Sequence, residues 1–165
     1  MEPFSPTGSG SEPDDFFTFE MGEYTAKFPV DREYVSNHMW AKSESEGICK
    51  FGLTSYAVRL LQDVYFLDWL VEPPVGIVSR QHMGSIESKK AESDLFSPAA
   101  GQLVELNESV LDDPSLINAE PYEGGWLFAM RLADESGLMN PQGYSEHLVK
   151  AWEVAQRTIK GQANL

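Results

Sequence analysis

From Tyr24 onward the apolar residues come in strand-length runs, each closed within a few positions by glycine, proline or polar turn residues. A chain punctuated this way folds through short strands and turns, because an amphipathic helix needs its apolar spacing to persist over several turns. Segments 34–42 and 48–53 flank Ser43-Glu44-Ser45-Glu46-Gly47, whose glycine and polar side chains suit a hairpin loop, and they are predicted to pair antiparallel. Thr54 is placed to cap a short helix with Tyr56, Ala57, Leu60 and Leu61 on one face, ending near Gln62. Residues 64–70 return to strand, Glu72-Pro73-Pro74-Val75-Gly76 breaks it, and a further strand runs through Val78. Residues 101–106 alternate like a half-buried strand, Asn107 caps a helical turn, and Asp112-Asp113-Pro114 reads as a second cap. Segment 126–132 is the strongest strand. Ser145 is expected to open a C-terminal helix with Leu148, Trp152, Ala155 and Ile159 on one stripe and Gly161 as its stop. The pattern predicts a mainly β sandwich or flattened barrel with short helices at its margin and the C-terminal helix packed against it.

At 165 residues the chain fits one such unit, and the longest apolar stretches are too short for a membrane span. With 12 Lys and Arg against 26 Asp and Glu, the net charge of -14 argues against nucleic acid and favours protein partners with basic surfaces. The single cysteine, Cys49, permits no internal disulfide and reads as a small buried strand residue. Residues 1–20 carry acids but no Lys or Arg, which suits neither a secretory signal nor a basic presequence, so a cytoplasmic location is expected. This stretch is predicted to be a largely disordered extension, with Phe16, Phe17 and Phe19 available for docking. The body is expected to span 21–143, followed by the helix over 144–165.

One stretch carries chemistry. Ile86-Glu87-Ser88-Lys89-Lys90-Ala91-Glu92-Ser93-Asp94 reads as a short hairpin holding a lysine at its tip between acids, a way to present an amine for covalent attachment of a carrier group. With Ser97-Pro98 and Gly101 behind it, the stretch resembles the lipoylation site of the glycine cleavage system H-protein family. Phe51-Gly52-Leu53-Thr54-Ser55-Tyr56-Ala57, Asp63-Val64-Tyr65-Phe66 and Pro74-Val75-Gly76 match the family upstream. Val104-Glu105-Leu106-Asn107-Glu108, Pro114-Ser115-Leu116-Ile117-Asn118 and Pro121-Tyr122 with Gly125-Trp126-Leu127 match downstream in the same order, so residues 24–133 are covered.

The resemblance implies a lipoyl-domain-like fold (a barrel-sandwich hybrid) and a carrier rather than an enzyme. Lipoic acid would be joined by an amide to Lys90, the lysine followed directly by alanine. Glu87, three residues before it, and Gly101, eleven after it, would be read by the lipoyl ligase or transferase. The partners implied are the pyridoxal-phosphate glycine decarboxylase (P protein), the aminomethyltransferase (T protein) and dihydrolipoyl dehydrogenase (L protein), which a monomer would dock transiently. His38, Asp63 and Glu108 would help form a cleft sheltering the arm. Lys89 stands where the family usually has an apolar residue, Met39 replaces a carboxylate and Gln62 a glycine, the last two on the face expected to border the arm. An H-like lipoyl protein of another pathway, such as heterodisulfide-reductase-like sulfur metabolism, and an unlipoylated binding or relay module are the alternative readings. An enzyme acting alone is disfavoured: His38, His82 and His147 lack metal-ligand spacing, and no Ser or Cys sits in an activating motif.

Overall fold

The computed structural model describes residues 15–163, and side chains through 157. Its strands are β1 (Phe16–Met21), β2 (Tyr24–Pro29), β3 (Glu33–Tyr34), β4 (Met39–Ser43), β5 (Ile48–Leu53), β6 (Val64–Trp69), β7 (Val75–Ile77), β8 (His82–Ser88), β9 (Glu92–Phe96), β10 (Gly101–Leu106) and β11 (Phe128–Leu132). The helices are α1 (Ser55–Leu61), α2 (Glu108–Asp112), α3 (Leu116–Ala119) and α4 (Pro141–Ala163). A six-stranded sheet of order β3-β4-β5-β11-β10-β7 faces a three-stranded sheet β6-β8-β9, and β1 pairs with β2 apart from both. The expected sandwich is therefore present, as open sheets rather than a closed barrel.

Two cores hold it. The larger lies between the two main sheets, where Phe51, Leu103, Phe128 and Met130 meet Leu67, Met83, Ile86 and Leu95. The smaller is aromatic: Phe28, Tyr34, Trp40, Tyr56 and Tyr144 with Leu148 of α4. Strand β4 serves both, since side chains alternate along a strand: Met39 and Ala41 point into the first core and Trp40 into the second. Met39 is thus 2% exposed and packed in the interior, so it does not border an arm on the surface.

Four expectations change. Segment 34–42 is two strands, because the chain doubles back over residues 35–38, with Val35 N donating to Met39 O and His38 at φ 69. The disorder predicted through residue 20 does not hold for residues 16–20: the Phe16–Met21 strand pairs with Tyr24–Pro29 through a turn with Gly22 at φ 66, and Phe17 stacks 5.0 Å from Phe28. Residues 1–14 lie outside the described residues. The C-terminal helix starts at Pro141, earlier than Ser145, because Asn140 caps it by accepting from Gly143 N at 2.8 Å and proline suits a first helical turn. It also continues past Gly161 to Ala163. On α1, Tyr56 is buried but Leu60 is 41% exposed, so the apolar face is narrower than its spacing suggested.

Candidate functional site

The lysine turn is built locally. Ser88 and Ala91 close it, with Ser88 N donating to Ala91 O at 2.9 Å, and Lys89 and Lys90 fill the two central positions. The buried Ser88 hydroxyl organises the interior: it donates to Ala91 O and accepts from Lys90 N at 3.2 Å and Ala91 N at 3.1 Å. Neither lysine takes a positive φ, so the turn forms without glycine. At its base Glu87 lies directly opposite Glu92. Facing like charges oppose strand pairing, so this acidic pair exists in spite of its effect on the fold.

The two lysines are held differently. Lys89 N donates to Asp63 O at 2.7 Å, which ties this residue to the corner between α1 and β6. Lys89 lines a groove of about 390 Å³ with Tyr24, Val58, Arg59, Gln62, Asp63 and Asn118. Lys90, exposed like Lys89, has its backbone N bonded within the turn, and among the described residues its ammonium has no ion-pair partner. Asn118 fixes the groove's floor by accepting from Val64 N at 2.8 Å and donating to Gln62 O at 2.8 Å. Gln62 closes α1 at φ 63, ψ -147, a conformation that glycine adopts freely and other residues resist.

The residues expected to shelter an arm do not share one cavity. Asp63 lies in the groove beside the lysine turn. Glu108 opens α2 and lines a separate cavity with Glu72 and Pro73, while Asn107 caps that helix by accepting from Ser109 N. His38 sits in the aromatic core, its ring 4.5 Å from Tyr56 and its Nδ1 2.8 Å from the Tyr144 hydroxyl. Thr54 Oγ1 accepts from Ala57 N and lies 3.0 Å from the same hydroxyl. All of these groups are satisfied if Thr54 donates to Tyr144 and Tyr144 donates to a neutral His38 carrying its proton on Nε2. Burial, helped by His147 nearby, depresses the His38 pKa to about 4.

Gly101 opens β10 between Leu132 and Ile77, in the larger sheet rather than the lysine hairpin. A Cβ there would stand 2.3 Å from Arg131 O, so close backbone packing alone requires glycine at this position. His82 pairs with Asp94 at 3.3 Å on the hairpin, Cys49 is buried in β5, and no group of metal-ligating side chains occurs among the described residues.

Sequence reasoning missed Ser88, Arg59, Tyr24 and Asn118. A serine two residues before the exposed lysine is a recognisable turn former, so Ser88 had a readable signal. The other three come together only through tertiary contacts.

Comparison with known proteins agrees with this geometry. Residues 32–151 match the sequence model described as Glycine cleavage H-protein. The glycine cleavage system H protein of Marinobacter nauticus is 35% identical over 126 residues, covering 74% of this chain and 96% of the relative. That of Streptomyces avermitilis is 39% identical over 121 residues, covering 72% and 94%. The crystal structure of a glycine cleavage system H protein from Mycobacterium marinum aligns with a TM-score of 0.64 at 33% identity, over 72% of this chain and 97% of that one. With the ordered motifs, the open sandwich and the presented lysine, these matches show that the chain belongs to the glycine cleavage H-protein family.

Proposed function

We propose that Lys90 is the residue to which this carrier's lipoyl group is attached. Family membership supplies the role: a lipoyl carrier of the glycine cleavage system, itself no catalyst, that takes the aminomethyl group of glycine from the decarboxylase to the aminomethyltransferase. One observation carries the choice of residue. Both lysine side chains are exposed, but the Lys90 backbone is bonded only within the Ser88–Ala91 turn, whereas the Lys89 backbone is tied to Asp63 and that residue lines a groove. An amide-linked arm fits the first environment, because acylation of Lys90 removes no ion pair and buries no charge. When bound, lipoate supplies a dithiolane that opens to carry the transferred group and is closed again by reoxidation.

The chain's own residues present, mark and steer. Ser88 holds the turn in shape. Glu87, half-buried at its base, is positioned to be read by the attaching enzyme together with the lysine. Gly101 enters that recognition at most through the sheet it lets pack, since it belongs to the larger sheet. Asp63 offers a carboxylate beside the turn, toward which a protonated amine on the arm is attracted. His38 and Glu108 are assigned to the aromatic core and to α2, outside this groove. The net charge of -14 speeds encounter with basic docking surfaces and suits transient contacts with several enzymes. No helix among the described residues is long and apolar enough to cross a membrane.

Intact-mass measurement of protein from cells supplied with lipoate tests the reading. The wild type and Lys89→Arg should gain one lipoyl group, and Lys90→Arg none. A modified Lys90→Arg protein would move the attachment to Lys89, and an unmodified wild type would sink the lipoyl assignment for this chain.

A further inference from the structure

The groove beside the lysine turn has a wall that the family match does not include. The matched residues begin at 32, whereas Tyr24 lies on the β1–β2 hairpin, directly after its Gly22-Glu23 turn. From there the ring reaches α1 and stacks on the Arg59 guanidinium, 4.4 Å from ring centroid to Cζ. Among the described residues Arg59 has no carboxylate partner, and this cation–π contact holds it. Tyr24, Val58 and Arg59 thereby line the groove together with Gln62, Asp63, Lys89 and Asn118.

The hairpin itself is fixed independently of that contact. Phe17 stacks on Phe28, Phe19 meets Tyr56 edge-on at 6.4 Å, and the Tyr122 hydroxyl donates to Lys27 O while accepting from Ser55 N at the start of α1. The tip is therefore rigidly placed, and Tyr24 can be changed without unseating the strands. The lining offers the Tyr24 ring and Val58 to an alkyl stem, and Asp63 to a cationic end. Lys89, anchored through its backbone to Asp63 O, lines the groove, and Lys90 is the next residue of the same turn, within the reach of a long acyl arm.

We propose that Tyr24 is a positioning residue: by holding Arg59 it completes a resting groove for the acyl arm of Lys90, formed by α1 and the N-terminal hairpin of this chain. This deepens the proposed function and rests on Lys90 as the attachment point. The arm divides its time between the groove and solvent, and the strength of the Tyr24–Arg59 contact sets that division.

The test uses the full chain, unmodified, octanoylated and lipoylated, with intact mass and peptide mapping run on the samples used for amide NMR. Acylation at Lys90 is expected to shift the amides of Val58, Arg59, Asp63 and Asn118. Tyr24→Phe should keep those shifts, since it retains the ring. Tyr24→Ala should reduce the rested population about three- to tenfold, the range a partly exposed cation–π contact allows. The amides of β1 and β2 serve as the folding control, and their dispersion should stay unchanged in both variants. Acylated Lys90 without shifts at the groove, or shifts of equal size in Tyr24→Ala, would overturn this inference and leave the attachment reading standing. Absence of acyl mass on Lys90 would overturn both.

Discussion

The lysine turn and the aromatic core lie at opposite extremes of how this molecule uses its residues. At the turn, Ser88 through Ala91 are joined by bonds spanning two or three residues, and the Lys90 side chain is exposed. In the aromatic core, Tyr34 stacks 4.6 Å from Tyr144, which is also within hydrogen-bond reach of His38 and Thr54, so one ring gathers residues from elements about 90 or more positions away. The first region presents an amine at little cost to the fold. The second supplies stability and holds the N-terminal hairpin and α4 against the body. Presentation and anchoring are thus separated, which allows an exposed modification site on a small domain.

The contrast can be broken most directly at Tyr144. Tyr144→Ala removes a fully buried ring and both of its polar contacts, and should cost about 3–5 kcal/mol in urea unfolding. The folded fraction should still accept lipoate at Lys90. A cost below about 1 kcal/mol would show that the anchor lies elsewhere.

Acid titration separates the regions next. His38 binds its proton near pH 4 when folded and near 6.5 when unfolded. Between those values the unfolded chain holds more protons, so stability is complete above about 6.5 and falls as pH drops toward 4, by about 2–3 kcal/mol from this group. His38→Asn removes the titration while keeping a residue that tolerates the positive φ, and should flatten that part of the stability–pH curve. An unchanged slope in the variant would remove His38 as the cause.

Smaller effects probe the end that carries the lysine. Gln62→Gly relieves the strained closure of α1 while keeping the main-chain carbonyl that Asn118 bonds, and should raise stability by about 1–2 kcal/mol in thermal unfolding. A loss would mean that the Gln62 side chain supports the groove. Glu92→Gln removes the charge facing Glu87 and should stabilise the hairpin by about 0.2–1 kcal/mol, seen as slower amide exchange at Ser85 and Ile86. Faster exchange there would show the pair to be supportive instead.

What could be read from sequence follows the same division. The hairpin, the Thr54 and Asn107 caps, the break at Pro73-Pro74 and the strand ending at Leu132 are set by short-range chemistry, and each was found close to its expected place. The strain at Gln62 was foreshadowed because the position departs from a glycine in the family pattern. Phe16, Phe17 and Phe19 looked like part of an acidic extension because their packing partners, Phe28, Tyr34 and Tyr56, lie in other elements. His38, Asp63 and Glu108 were grouped by a shared expected role, yet residue type says nothing about which cavity a side chain enters.

The sequence by itself determined the strand-and-turn class, the family and the lysine pair at an exposed tip, since periodicity, turn chemistry and ordered motifs act over a few residues. Only the tertiary structure tied the Lys89 backbone to Asp63, buried Met39, packed His38 against Tyr56 and Tyr144 and brought Tyr24 to Arg59. Those outcomes depend on segments far apart in the chain being packed together, and no local pattern specifies which distant surfaces will meet.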